Sequence, residues 1–295
     1  MKKTIFTGSG VAIVTPMNDD FSINYAKLGE LIDWQVEQGQ DAIIICGTTG
    51  ESTVMTDQEH VECIRCAVER VAGRVPVVAG AGSNDTAYAV WLSKESKALG
   101  ADALLHVTPY YNKTSQLGLL RHFNMVADAT DLPVIVYNVP GRTGLDIKPE
   151  TYLEMSKHPN LVAIKEASGN IGAAAKTAAL VGENMHLYSG NDDQIVPIMS
   201  LGGKGVITVM GNVAPQLTHQ IPTLYLQGKT SEATALQLKV MDLCSALFCD
   251  VNPIPVKEAL NLMGYGVGPC RMPLVELSAA NRAQLSAVLQ KHGLL

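Results

Sequence analysis

The apolar run Leu161-Val162-Ala163-Ile164 ends on a lysine, Lys165, followed by Glu166, Ala167 and Ser168. An unbroken apolar run too short for a helix reads as a buried parallel strand. Side chains alternate along a strand, so Lys165 shares a face with Leu161 and Ala163, and a core-facing strand would point the ammonium inward. Burial penalises the charged form and lowers a lysine from about 10.4 by several units, leaving a neutral amine that can attack a carbonyl and form a Schiff base. The competing reading is a strand-exit lysine with a buried stem and a solvated head, and this stretch alone favours it. Tyr137 ends another apolar run, Val134-Ile135-Val136. On neighbouring strands about 4.8 Å apart, the phenol and the amine could reach one small ligand as base and nucleophile. A tyrosine at a strand end is otherwise a core aromatic with its hydroxyl at the rim.

What could position these residues is a repeating pattern. Short apolar runs at 11–14, 42–46, 76–79, 103–107, 134–137, 161–165, 186–188 and 205–208 read as strands. Amphipathic segments at 25–38, 57–72, 86–99, 116–129, 149–156, 171–181 and 194–201 read as helices between them. Thr56 with Glu59 forms a capping box, and Gly39, Gly73, Gly100 and Gly182 fall just past helix ends. Eight strand-helix alternations predict an α/β fold, a closed (β/α)8 TIM barrel, with an open doubly wound sheet as the alternative. Beyond about Pro215 only helical signals remain, at 216–227, 231–249, 255–263 and 279–292. The first completes the barrel, so the expected division is a catalytic barrel over 1–228 and a C-terminal helical domain over 229–295.

Composition narrows the class. The chain has 295 residues, 47% hydrophobic and 17% charged, with a net charge of −6 and scattered basic residues. That profile suits a globular protein and argues against a nucleic-acid footprint or a membrane-facing basic helix, so the expected partners are small molecules. Thr7, Gly8 and Ser9 interrupt the signal-peptide-like start, and no apolar run approaches about 18 residues, which places the chain in the cytoplasm. Cys63 and Cys66 form a C-x-x-C inside a helical pattern without a second pair, and the histidines are dispersed. Buried thiols and no metal in catalysis are the expectation.

On this fold functional groups collect at the C-terminal ends of the strands. There the sequence places Gly47-Thr48-Thr49-Gly50-Glu51, Gly80-Ala81-Gly82, Tyr110-Tyr111-Asn112, Asn138-Val139-Pro140-Gly141-Arg142 and Ser189-Gly190-Asn191. Each has a bland reading: Thr48 and Thr49 as turn residues, Arg142 as a solvated cation. Gly80-x-Gly82 is no dinucleotide fingerprint, because Asp85 holds the third position and would repel a pyrophosphate. Gly202-Gly203-Lys204-Gly205 precedes a strand and reads as a tight turn, and Asp192-Asp193 reads as a helix cap rather than half a metal site.

Taken together, Gly47-Thr48-Thr49-Gly50-Glu51-Ser52, Tyr110-Tyr111-Asn112, Tyr137-Asn138-Val139-Pro140-Gly141-Arg142-Thr143-Gly144 and Ile164-Lys165-Glu166-Ala167-Ser168 resemble, in order and spacing, the dihydrodipicolinate synthase family. This branch of the class I pyruvate-dependent aldolases is related to N-acetylneuraminate lyase, and the likeness covers nearly the whole chain. It implies a (β/α)8 barrel with a helical C-terminal domain, a homotetramer built as a dimer of dimers, and condensation of pyruvate with L-aspartate 4-semialdehyde in the diaminopimelate route to lysine. It also implies that no cofactor is needed, since the protonated imine is the electron sink.

By the same resemblance, Lys165 forms the imine and Tyr137 is general acid and base, with Thr48 and Tyr111 relaying its proton, Tyr111 from a neighbouring subunit. Thr49 holds the pyruvate carboxylate, Gly190 and Ile207 line the pocket with backbone, and Arg142 receives the carboxylate of the aldehyde, a task suited to its planar fork. Gly141 departs from the serine usual there, which should leave Arg142 free to turn. Ser52, His60, Asn84 and Tyr110 match the lysine site of feedback-inhibited members. Asp57 stands in place of a histidine and Tyr88 in place of a glutamate, so weak lysine inhibition or none is expected. The alternatives are a sibling aldolase acting on sialic acid or a deoxy sugar acid, disfavoured because Arg142 suits a short carboxylated aldehyde, and a non-enzymatic ketoacid binder on the same barrel.

Overall fold

The computed structural model describes residues 2–295. Eight parallel strands, β1 (Gly8–Ala12), β2 (Ala42–Ile45), β3 (Val77–Gly80), β4 (Ala103–Val107), β5 (Val134–Asn138), β6 (Leu161–Glu166), β7 (His186–Ser189) and β8 (Gly205–Thr208), pair in chain order, and β8 closes on β1. The helices are α1 (Tyr25–Glu37), α2 (Asp57–Val71), α3 (Thr86–Ala98), α4 (Gln116–Asp128), α5 (Pro140–Thr143), α6 (Pro149–Met155), α7 (Ile171–Val181), α8 (Ile195–Ser200), α9 (Pro215–Leu226), α10 (Thr230–Lys239), α11 (Met241–Ala246), α12 (Ile254–Leu262) and α13 (Ala279–Lys291). This is the expected (β/α)8 barrel, with a C-terminal helical region from α10 onward. Among the described residues no helix is long and apolar enough to cross a membrane.

Two hydrophobic layers follow from strand alternation. The outer layer, between strands and helices, holds Ile43, Ile45, Leu104, Val136, Leu161 and Ile164 with the buried faces of the helices. The inner layer fills the barrel with Ile44, Val78, Leu105, Ile135, Val162, Ala163, Tyr188 and Ile207. Phe6 stacks on Tyr188 at 4.5 Å between ring centroids, and the Tyr188 hydroxyl donates to the Phe6 carbonyl, so the barrel is packed below the site.

The alternation counted back from Lys165 fails at one point. A register shift between Val134 and Ile135 lets both Val162 and Ala163 face inward, so Leu161 belongs to the outer layer and does not share the face of Lys165. β1 also lies earlier than the apolar run at 11–14 predicts. A side chain at Gly10 would come within 2.6 Å of Ile44 and 2.8 Å of Phe6, so the strand uses small residues that an apolar pattern does not register. The single helix expected over 231–249 is two, α10 and α11, meeting at Val240. The capping box at Thr56 and Glu59 is present, and Gly39, Gly73, Gly100 and Gly182 all have positive φ. The six cysteines are free, with Cys46, Cys63 and Cys244 buried.

The C-terminal region is tied to the barrel by a buried ion pair. Lys257 on α12 reaches Glu51, in the turn after β2, at 2.9 Å, and also donates to the carbonyls of Thr15 and Pro269. The other Glu51 oxygen accepts the Arg271 amide at 2.8 Å, so both buried charges are met by several partners.

Candidate active site at the barrel rim

Lys165 and Tyr137 face each other in register across β5 and β6. Lys165 is 5% exposed and Tyr137 is 7% exposed, with the lysine Nζ 4.3 Å from the centre of the phenol ring. Burial brings the lysine down to about 8; the Asp192 carboxylate opposes this by pulling upward, and the Arg142 guanidinium adds to the lowering. For Tyr137 burial pushes the phenol up, against Arg142 and a hydrogen bond with Thr48. The lysine head is therefore not in water, and the competing reading of a snorkelling strand-exit lysine does not hold.

The turn after β2 supplies the hydroxyls. The amides of Gly50 and Glu51 donate to the carbonyls of Gly47 and Thr48, each at 3.1 Å, and Glu51 takes a φ of 58°. Gly80 lets this turn approach β3, since a Cβ there would lie 2.2 Å from the Cys46 carbonyl oxygen. A Cβ at Gly82 would likewise lie 2.5 Å from the Val107 amide nitrogen, so both glycines of Gly80-Ala81-Gly82 serve close packing. A Cβ at Gly190 would similarly meet Ala167 at 2.7 Å and the Lys165 Cγ at 3.1 Å, so the bare backbone leaves room for the lysine stem. Ile207 is fully buried in the inner layer.

Above these residues a cavity of about 220 Å³ is lined by Thr48, Tyr137, Val139 and Arg142, and extends to Ser52 and Tyr110. Tyr137 is shared between the cavity wall and the lysine. Arg142 lies on α5, a short helix absent from the sequence reading; a side chain at Gly141 would meet nothing within 4 Å. Tyr111 is not brought to Tyr137 and Thr48 within this chain: it is 90% exposed and holds a φ of 63°. Ser52 and Tyr110 line the cavity, Asn84 donates to the Tyr110 carbonyl at 3.1 Å, and His60 meets the carbonyl of Gly80, another lining residue, at 2.8 Å. Tyr88 donates to Asp57 at 2.9 Å.

Two residues near the site were not assigned to it from sequence. Asp192 does not cap the following helix. It is buried, its Oδ2 accepts the amides of Val209 at 3.0 Å and Met210 at 2.8 Å, and its charge acts on Lys165. Its own carboxyl is pushed up by burial, against the hydrogen bonds that hold it down. Asn252, from the segment between α11 and α12, donates through Nδ2 to Thr49 Oγ1 at 3.0 Å, and its carbonyl accepts Arg142 Nη2 at 3.0 Å. Among the described residues no group of three or more His, Cys, Asp or Glu side chains could hold a metal ion.

A (β/α)8 barrel with a buried rim lysine of lowered basicity beside a phenol is the architecture of a Schiff-base aldolase. The dihydrodipicolinate synthetase family model matches residues 5–292, and the chain belongs to that family. It is 56% identical over 292 residues, 99% of this chain and 98% of the relative, to the 4-hydroxy-tetrahydrodipicolinate synthase of Thermoanaerobacter sp. (strain X514). Among solved structures, the chloride-inhibited dihydrodipicolinate synthase of Acinetobacter baumannii complexed with pyruvate is 40% identical with a TM-score of 0.97, over 99% of this chain and 100% of that one. The Cyanidioschyzon merolae enzyme with lysine bound is 40% identical with a TM-score of 0.96, over the same shares.

Proposed function

We propose that this chain condenses pyruvate with L-aspartate 4-semialdehyde through an imine on Lys165, as a 4-hydroxy-tetrahydrodipicolinate synthase of the diaminopimelate route to lysine. The neutral Lys165 amine adds to the keto carbon and water leaves, giving the imine. A proton lost from the adjacent methyl carbon gives the enamine, whose carbon attacks the aldehyde while the aldehyde oxygen gains a proton. Tyr137, which lines the cavity with Thr48, moves these protons. Thr49 receives the pyruvate carboxylate beside the backbone of Gly190 and Ile207, and Arg142 receives the carboxylate of the aldehyde.

The observation that carries this reading is the buried lysine brought to about 8 and held 4.3 Å from the Tyr137 ring. Borohydride with pyruvate should leave a reduced adduct on Lys165 in the parent protein. Lys165→Ala should fold, give no adduct and lose nearly all condensation activity. Near-parental turnover in that variant would remove Lys165 from the mechanism.

Assembly belongs to the same proposal. Tyr111 reaches the proton relay of a neighbouring subunit, in a dimer that pairs again into a tetramer; its near-complete exposure in the isolated chain supports this. A lysine effector site at Ser52, His60, Asn84 and Tyr110 is part of the reading as well, altered by Asp57 and Tyr88.

A further inference from the structure

Asn252 is 5% exposed and enters the site from outside the barrel, yet touches residues of both proposed substrate subsites. Its side-chain amide donates to Thr49 Oγ1, its main-chain carbonyl accepts from Arg142, and its Oδ1 is buried without a partner. A threonine hydroxyl has one proton to give and two lone pairs. With one lone pair taken by Asn252 Nδ2, the Thr49 proton must point elsewhere, and a ketoacid carboxylate is an acceptor that needs such a donor.

We propose that Asn252 is a positioning residue that fixes the Thr49 hydroxyl as a hydrogen-bond donor toward the carboxylate of the ketoacid, while its backbone holds the Arg142 guanidinium for the second substrate. This rests on Thr49 as the carboxylate-binding residue. The two duties use different atoms, so they separate by mutation. Asn252→Ala frees the Thr49 hydroxyl to rotate and should raise the pyruvate KM about five- to tenfold. Asn252→Asp substitutes an acceptor that captures the Thr49 proton and places a negative charge beside a carboxylate, so the pyruvate KM should rise about a hundredfold or more. Both variants keep the backbone carbonyl, so the KM for the aldehyde at saturating pyruvate should change by less than about threefold.

Steady-state kinetics on the full-length enzyme, with each substrate varied in turn, reads the split. As pH falls and the introduced carboxyl is protonated, the pyruvate KM of Asn252→Asp relative to the parent should recover, which a packing defect would not do. Equal KM values for the Ala and Asp variants, or equal losses on both substrates, overturn the proposal. Thr49→Val tests the underlying assignment: an unchanged pyruvate KM there removes Thr49 from the carboxylate site, and Asn252's role with it. A raised KM in Thr49→Val with a tolerated Asn252→Asp overturns the role of Asn252 alone. If the Asp variant does not fold, Asn252→Ala combined with Thr49→Val decides. The two losses should be no worse together than Thr49→Val alone, and additive losses refute the coupling.

Discussion

At the scale of single residues, the basicity of Lys165 is set by opposing influences whose signs can be tested separately. Burial, helped by the Arg142 guanidinium, outweighs the upward pull of the buried Asp192 carboxylate and leaves the lysine lowered to about 8. With that value about a tenth of the amine is neutral at pH 7, so pyruvate imine formation should rise with pH and level off above about 8. Asp192→Asn removes the charge while keeping an oxygen for the Val209 and Met210 amides. The initial rate of borohydride trapping should then reach half its plateau at a lower pH than in the parent. A profile that does not move would mean that the Asp192 charge does not act on Lys165. Lys165 and Tyr137 were legible in sequence because each ends an apolar run near the C-terminal end of a strand, where fold position gives a side chain a direction. Asp192 was misread because acidic residues before a helix usually cap it, and only the return of β8 supplies the amides that claim its carboxylate. Asn252 had no local signal at all, since its partners, Thr49 and Arg142, lie 203 and 110 residues away in the chain.

At the scale of elements, the count and order of strands and helices followed from periodicity, and the departures have identifiable causes. β1 was placed late because Gly8, Ser9 and Gly10 carry no apolar signal, although the crowded barrel wall requires small residues there. The bulge at the start of β6 cannot be seen in the sequence of one strand, because it is a mismatch between two. The Lys257–Glu51 pair is another feature of this scale, joining α12 to the turn that carries Thr48 and Thr49. Both charges are almost wholly removed from water, so leaving one alone should be far costlier than losing a surface pair. Lys257→Met leaves the buried Glu51 carboxylate without its counter-charge and should reduce unfolding stability by about 3–5 kcal/mol. The mutant and parent can be compared by urea unfolding, and a loss under about 1 kcal/mol would place the pair in the class of exposed ion pairs. Adding Glu51→Gln should recover part of the loss, since the stranded charge is then gone.

At the scale of the whole molecule, the proposed effector cleft shows how two substitutions can alter regulation without touching the chemistry. Ser52 and Tyr110 line the cavity that also holds Tyr137, Asn84 is bonded to Tyr110 and His60 to Gly80 in the same wall, so an effector bound there would adjoin the proposed active site. At the position where the proposed effector site would call for a glutamate, Tyr88 donates its proton to Asp57 at 2.9 Å. Burial and Asp57 push that phenol up to about 12, so it is neutral at physiological pH and offers lysine's ammonium no charge. Asp57 is exposed and already engaged by the phenol, and an exposed carboxylate in water gives a screened, weak contact. Loss of one charge-assisted bond, about 1.5–3 kcal/mol, weakens lysine binding by roughly ten- to a hundredfold. Lysine should therefore inhibit this enzyme weakly or not at all in initial rates at fixed pyruvate and aldehyde. Tyr88→Glu should restore a carboxylate at the cleft and lower the half-inhibitory lysine concentration by about tenfold or more, with little change in uninhibited turnover. Strong inhibition of the parent at submillimolar lysine would show that the Tyr88–Asp57 pair leaves the cleft competent, and an unresponsive Tyr88→Glu variant would show that the charge at this position does not govern it.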